Sequence, residues 1–293
     1  MERRPRAVPR SALAVRAGCR AKAREVIRGV AAIALALATA APAAAQDSSM
    51  ATLAGSPTTS KLPFGVGERM EYDIRFGKIH VGSGDMEVLP MDTVRGHDAW
   101  HTVFRLSGGI PFYHVKDRYE DWFAASTLAS LRYWQDIDEG NYEPKRHYEI
   151  FPDRREYVEN DKPPQPSVEH PLDEGSFLYY LRTVPLRVGL DTSFSDYFKA
   201  DRNPVRLKVV GREQIEVPAG KFNAIVVQPV INAKGIFSEG GDARIWLSDD
   251  ANHIMLQLKS KLSFGSLNLY LKSYRPSPTT STPLNRVAPP DSR

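Results

Sequence analysis

The sequence contains a single cysteine, Cys19, among its 293 residues. Cys19 lies in an N-terminal segment that we expect to be removed as a leader, so the mature chain would contain no cysteine. This excludes disulfide bonds, thiol catalysis and cysteine-ligated zinc or iron–sulfur centres. The mature chain must therefore be stabilised by its hydrophobic core, and about 250 residues are enough to build one.

Common catalytic and nucleotide-binding motifs are also lacking. The sequence has no phosphate-binding loop ending in Lys-Ser/Thr, no G-x-S-x-G and no H-E-x-x-H. The formal net charge is +4, but the first 45 residues hold nine of the 39 basic side chains and two of the 35 acidic ones, which leaves 30 basic and 33 acidic residues in the remainder. This balance gives no basic surface for nucleic acid. We expect no nucleic-acid partner and no cofactor.

Long hydrophobic runs are restricted to residues 29–45, an uncharged and alanine-rich stretch that follows a basic segment. The stretch is too short to span a membrane comfortably, and Ala43 and Ala45 provide the small residues that signal peptidase requires. We expect residues 1–45 to be a signal peptide, and the mature protein to be periplasmic or secreted without a transmembrane segment. The alternative is an uncleaved amphipathic anchor.

The rest of the chain is dominated by alternation of apolar and polar residues with period two. Met70, Tyr72 and Ile74 alternate with charged residues, and similar runs recur to Leu271, separated by Gly, Pro and Asp. Residues 46–62 and 276–293 are rich in Ser, Thr, Ala and Pro and read as a flexible linker and a disordered tail. We treat residues 63–275 as one β-rich domain.

One segment has a helical pattern instead. Phe177, Tyr180, Leu181 and Val184 recur at helical spacing, with Asp173 as a candidate N-cap. Its apolar face must cover other apolar surface. The predicted fold is all-β, an antiparallel meander that forms a curved sheet or partly open barrel, with one short helix packed on the concave side.

Several segments resemble a known bacterial family. They are GERMEYDIRFGKIHVGSGDMEV, VKDRYEDWF, FLYYLRTVPLRVG, the hairpin EVPAGKFNAIVVQP and IWLSDDANHIMLQLKSKLSFGSLNLYL. In this order they are similar to the family named domain of unknown function 3108. The resemblance implies a secreted or periplasmic β-rich protein with no established activity, similar in architecture to the half-barrels of lipoprotein carriers. Such a fold analogy does not by itself assign a function.

Aromatic residues provide the best candidates for a binding site. Rings with a polar tip suit the wall of an apolar slot, although most aromatic residues simply fill a core. The candidate ligand-binding residues are Trp100, Phe104, Tyr119, Trp122, Phe177 and Tyr180.

Acidic and histidine clusters are weaker candidates. On a strand, Asp117 and Asp121 would share one face with Tyr119, while His114, Arg118 and Glu120 would project from the other face, so they would not converge on one substrate atom. His97 and His101 would share a side of one strand, but a metal centre needs three or four donors. Asp249, Asp250 and Asn252 resemble part of a calcium loop and fit a turn better. We expect no catalytic residues and no metal site.

The leading hypothesis is therefore an exported, non-enzymatic envelope protein that binds a lipid or other hydrophobic ligand in the concavity of the sheet. One alternative is a structural protein that contacts another envelope protein. The other is an envelope-polymer hydrolase that uses Asp117, Glu120 or Asp121.

Overall fold

The structure, a computed structural model, describes residues 62–110, 112–231, 243–262, 265–280 and 284–287. The expected signal peptide and nearly all of the expected linker lie outside these residues. The strands are β1 Arg69–Phe76, β2 Ile79–Val88, β3 Asp92–Val94, β4 His97–Ile110, β5 Tyr113–Ala124, β6 Ser130–Asp136, β7 Lys145–Phe151, β8 Glu156–Glu159, β9 Gln165–Pro166, β10 Asp191–Phe194, β11 Val205–Val217, β12 Gly220–Ile231, β13 Arg244–Ser248, β14 Met255–Leu262 and β15 Gly265–Arg275. The described residues also contain one α-helix, α1 Glu174–Leu181, and 3₁₀ turns at Pro152–Arg154 and Ala200–Arg202.

All the strands belong to one antiparallel sheet. Their order is β10-β11-β12-β13-β14-β15-β1-β2-β4-β5-β6-β7-β8-β9, with β3 paired to β4 outside this path. The two ends of the sheet approach each other where Leu172 forms a parallel bridge with Tyr197. The prediction of an all-β curved sheet or partly open barrel with one short helix is confirmed.

The alternating sequence pattern determines which side chains point inward. Met70, Tyr72 and Ile74 of β1 are buried on the inner face, as their spacing predicted. A two-residue turn follows, because Phe76 pairs directly with Ile79. In β2 the apolar residues change from odd positions, Ile79 and Val81, to even positions, Met86 and Val88. A register shift at Val81, which leaves one extra residue there, explains this change.

Helix α1 begins at the predicted cap and ends earlier than expected. The Asp173 carboxylate accepts hydrogen bonds from the backbone N–H groups of Gly175 and Ser176, and the Ser176 hydroxyl accepts one from the Asp173 N–H. The helix has eight residues and stops before Val184, the last position of the predicted helical pattern. From Arg182 to Val184 the backbone N–H groups bond three residues back, and the Arg182 side chain forms a buried ion pair with Glu68. No helix in the described part of the chain is long and apolar enough to cross a membrane.

Part of the predicted tail is packed against the domain. Ser277 is 1% exposed, and its hydroxyl donates to the Val66 carbonyl at 2.8 Å. Further along, the Val287 N–H donates to the Lys221 carbonyl of β12, and Leu284 packs on the core. The expectation of disorder from residue 276 is therefore corrected for residues 276–280 and 284–287, whose few apolar and hydroxyl side chains find specific partners.

Candidate ligand-binding cavity

A cavity of about 70 Å³ lies between helix α1 and the inner face of the sheet. Its wall is mostly apolar, because inner-face positions of β2, β4, β5, β6, β14 and β15 meet the underside of the helix there. The wall residues are Met86, Thr102, Val103, Phe104, Tyr119, Asp121, Tyr133, Glu174, Gly175, Leu178, Tyr179, Met255, Leu258 and Leu269.

Adjacent strands place the aromatic wall residues side by side. Phe104 of β4 pairs with Tyr119 of β5, and their rings stack with centroids 6.1 Å apart. Two residues further along β5, Asp121 pairs with Tyr133 of β6. Because side chains two positions apart share a face, one stretch of β5 provides both an aromatic ring and a carboxyl group to the same wall.

Asp121 is buried directly beneath the first turn of the helix. Its Oδ2 accepts a hydrogen bond from the Thr102 hydroxyl at 3.3 Å, and its remaining oxygen has no donor among the described residues. Burial raises its pKa well above the usual range, and the neighbouring Asp173 carboxylate raises it further. A proton on Asp121 would let it donate to Asp173 and so join β5 to the helix N-terminus.

Glu174 is a second acidic group in the wall. Its Oε1 accepts a hydrogen bond from the Tyr197 hydroxyl at 2.6 Å, whereas Oε2 has no hydrogen-bond partner within the described ranges. Burial raises the pKa of Glu174, since the charged form loses its hydration there. The Tyr179 hydroxyl is likewise without a partner in the described part of the chain. The cavity therefore combines an apolar wall with a few polar atoms on its helix side.

The structure brings two of the six predicted ligand-binding residues into this wall, Phe104 and Tyr119. Trp100 lies on the same strand face but packs edge-on against Phe64, with ring centroids 5.2 Å apart. Phe177 points to the other side of the helix, where it stacks on Phe194 and lines a separate cavity of about 10 Å³. Tyr180 is half-buried and lines neither cavity.

Trp122 lies on the outer face of the sheet and not in the concavity. It stacks on His101 at 4.3 Å, packs against Trp134 and donates its indole N–H to Asp92. The physical reason is strand parity, because Trp122 is an odd number of residues from Tyr119 and Asp121. Its expected place in the binding wall is therefore corrected.

The predicted separation of the acidic cluster is observed. Asp117 and Asp121 are buried on the inner face, whereas Glu120 is on the outer face, where it accepts from Arg118 and bonds to His101. Across the described residues, no three His, Cys, Asp or Glu side chains gather to hold a metal ion. The segment from Asp249 to Asn252 is a turn in which the Asp250 carboxylate accepts from Ser248 and from the Asn252 N–H.

The six residues selected from the sequence leave out several wall residues, among them Tyr133, Glu174, Leu178 and Tyr179. The helical pattern gives a signal for an inward face, but it does not specify which side of an eight-residue helix leaves unfilled space. The wall residues of β14 and β15 lie far along the chain from α1. Only the closure of the sheet brings them together.

Comparison with solved structures finds several bacterial proteins that are similar to this chain. A crystal structure of a beta-barrel-like protein of the domain of unknown function DUF1849 from Brucella abortus is 11% identical, with 73% of this chain and 99% of that chain covered and a TM-score of 0.48. A protein from Parabacteroides distasonis, provisionally described as a lipoprotein, is 12% identical over 73% of this chain and 98% of its own, with a TM-score of 0.34. A protein from Bacteroides fragilis, provisionally described as exported, is 9% identical over 73% and 98%, with a TM-score of 0.34.

No curated protein matches the chain significantly. The model of a family described as protein of unknown function (DUF3108) matches residues 71–272. This match includes strands β2 to β14, helix α1 and every residue of the cavity wall. The chain belongs to the DUF3108 family.

Proposed function

We propose that this chain is an exported, non-enzymatic protein of the cell envelope that binds a hydrophobic ligand in the cavity beneath α1. The observation that carries the proposal is unfilled apolar space of about 70 Å³ between the helix and the concave sheet. Protein interiors are normally packed without such voids, and a void costs stability that a bound ligand recovers.

The size of the cavity limits the ligand. An engineered cavity of about 150 Å³ binds benzene, so a space of about half that volume suits a narrow aliphatic segment better than a ring. The wall residues Leu178, Leu258 and Leu269 match such a segment in polarity. The ligand class we infer is an alkyl chain or the end of an acyl chain, with a hydroxyl or amine donor able to reach Glu174 Oε2 or Tyr179.

Hydrolysis of an envelope polymer is less well supported. Glu120 faces away from the concavity, and Asp117 is not part of the cavity wall. Asp121 reaches the wall, but it is paired with Thr102 and Asp173. A space smaller than a benzene site does not hold a sugar ring or a peptide backbone with attacking water.

Export is supported by the sequence alone. The basic segment and the uncharged run of residues 29–45 have the layout of a secretory signal. The proposal places the mature protein in the periplasm or outside the cell, where a chain without cysteine needs no redox control.

The test uses the full chain, expressed with its own leader and purified from the exported fraction. Hydrophobic molecules are extracted and identified by lipid mass spectrometry. Leu178→Trp fills the cavity from the helix side, and Val210→Trp, at a position 44% exposed, serves as the matched control. Folding of each variant is checked by circular dichroism.

We expect one class of alkyl-containing molecule to be recovered from the wild type and from Val210→Trp, and at least tenfold less from Leu178→Trp. Recovery of no hydrophobic molecule from the wild type, or equal recovery from both variants, would contradict the proposal.

A further inference from the structure

Two neighbouring hairpins carry large apolar side chains into solvent at their tips. Ile79, in the β1–β2 hairpin, is 66% exposed, and Phe112, in the β4–β5 hairpin, is 91% exposed. Exposing a ring to this extent has a hydrophobic cost and adds nothing to the core. Single exposed apolar residues are common, and what distinguishes these two is their arrangement.

The sheet topology places both tips at the same rim of the barrel. Strand β2 pairs with β4, and Gly82 is opposite Gly108. Ile79 is three residues from this pair and Phe112 is four, which at about 3.3 Å per residue gives the two tips a similar reach. Both side chains therefore project from one edge of the molecule.

The glycine pair also holds the two hairpins close together. A Cβ on Gly82 would lie 2.3 Å from the Ser107 carbonyl oxygen, and a Cβ on Gly108 would lie 2.2 Å from the Val81 carbonyl oxygen. Neither position accepts a side chain without moving the backbone. The two strands thus approach each other more closely than pairs with larger residues allow, just below the tips.

The charges around the tips favour an anionic partner. Lys78 and Lys116 are exposed and form no ion pair with any described residue. The nearby acidic groups are already engaged, because Asp73 pairs with Arg75 and His80, and Asp138 pairs with His114. The rim therefore presents two apolar tips and two lysines that pair with no acidic group of the described residues.

We propose that these two tips, Ile79 and Phe112, form a membrane-docking site that enters the head-group region of an anionic bilayer, with Lys78 and Lys116 against the lipid phosphates. Aromatic and aliphatic side chains partition into this region, and lysines there place their ammonium groups at the phosphates. A protein partner would need about 800 Å² of closely packed surface on each side, and two convex points do not provide such a surface. The docking site does not depend on whether the cavity is occupied.

The experiment is flotation of the full chain with vesicles of phosphatidylethanolamine and phosphatidylglycerol in a three-to-one ratio, compared with vesicles of phosphatidylcholine. The test variant is Ile79→Ser with Phe112→Ser. The matched control is Val66→Ser with Met91→Ser, at positions that are 37% and 42% exposed. Val66 precedes β1 and Met91 follows β2, so both lie at the end of this hairpin opposite to its tip.

We expect the wild type and the control to bind the anionic vesicles. The test variant should bind them at least roughly tenfold more weakly. Lys78→Glu with Lys116→Glu should weaken binding in the same way, with no change on phosphatidylcholine. The proposal is overturned if the wild type does not float, or if the test variant floats equally well. It is also overturned if the test variant instead abolishes self-association in gel filtration, because the tips would then join copies of this chain. Lipid recovery from the cavity should be unchanged in the test variant. Failure of the docking proposal is therefore distinguishable from failure of the proposed ligand binding.

Discussion

Arg182 is 4% exposed, and its side chain joins three separate segments of the domain. Its guanidinium forms a two-bond pair with Glu68 at 2.7 and 2.9 Å, and it also donates to the carbonyl oxygens of Asn252 and Pro63. One side chain thus ties the end of the helix to the start of the domain and to the β13–β14 turn. A buried pair of this kind is weak evidence for net stabilisation, but removing one partner leaves the other charge unpaired.

Replacing Arg182 with Met should therefore lower the free energy of unfolding by about 3 to 5 kcal/mol. Urea unfolding followed by circular dichroism measures the change. The double variant Glu68→Gln with Arg182→Met should recover a large part of the loss, because no charge is then buried alone. A loss below about 1 kcal/mol in the single variant would show that water reaches Glu68.

Asp121 provides a second prediction at the residue scale. Its pKa is raised in the folded state by burial and by Asp173, so the folded state holds the proton more tightly than the unfolded state. The contribution of Asp121 to the free energy of unfolding is greatest below the pKa of about 4 that Asp has in the unfolded chain. This contribution is lost as the pH rises through the raised pKa of the folded state. In Asp121→Asn, the amide donates to Asp173 at every pH, so this loss is removed.

We expect Asp121→Asn to match the wild type near pH 4 and to exceed its free energy of unfolding by about 1 to 3 kcal/mol at pH 8. Chemical denaturation at a series of pH values checks this. Asp117, whose pKa is raised to about 6 by burial, titrates in both proteins and cancels in the difference. A variant that is less stable than the wild type at pH 8 would contradict the shared proton.

At the scale of elements, the contact between α1 and β5 depends on a glycine. A Cβ on Gly175 would lie 2.2 Å from the Asp121 carboxyl carbon and from both of its oxygens. Asp121 is buried, and turning its carboxyl group aside would break the hydrogen bond from Thr102. The absence of a side chain at position 175 is thus what lets the helix lie on the sheet.

Gly175→Ala should therefore destabilise the protein by about 1 to 3 kcal/mol, despite the better helix propensity of alanine. Thermal unfolding and hydrogen exchange of residues 174–181 would record the loss. Asp121→Ser with Gly175→Ala restores space and should couple favourably in a double-mutant cycle. Additive effects of the two changes would mean that the helix is not seated on Asp121.

The elements themselves were largely predictable from the sequence, because each depends on local chemistry. The period-two pattern predicted β1 and the shared strand face of Asp117, Tyr119 and Asp121. The Asp173 cap was equally local. The same parity places Trp122 on the outer face of the sheet. We predicted an inner position because of its large apolar surface, but a small cluster with Val94 and Leu131 buries this surface on the outer face.

At the scale of the whole molecule, long-range contacts determine what the sequence could not. Arg182 and Glu68 are 114 residues apart in sequence, and the wall of the cavity joins β2 to β15. No local pattern indicates such contacts. The volume left beneath the helix depends on how these distant elements pack together. The sequence therefore predicted a cavity on the concave side of the sheet, but not most of the residues that line it.

The C-terminal segment belongs to this scale as well. Truncation after Arg275 removes the buried Ser277 and the packed Leu284, and should lower the free energy of unfolding by about 1 to 3 kcal/mol. Truncation after Val287 keeps both contacts and should leave stability unchanged. Equal unfolding midpoints in urea for the two shortened chains would show that the segment is not part of the folded domain.

The binding of an alkyl chain beneath α1 is tested most directly by methyl NMR of the full chain, labelled at Met and Leu and titrated with hexanol. The account predicts saturable shifts of the methyl signals of Met86, Leu178, Met255 and Leu269, and their loss in Leu178→Trp. Unsaturable shifts spread over the whole protein, or the same saturable shifts in Leu178→Trp, would contradict it.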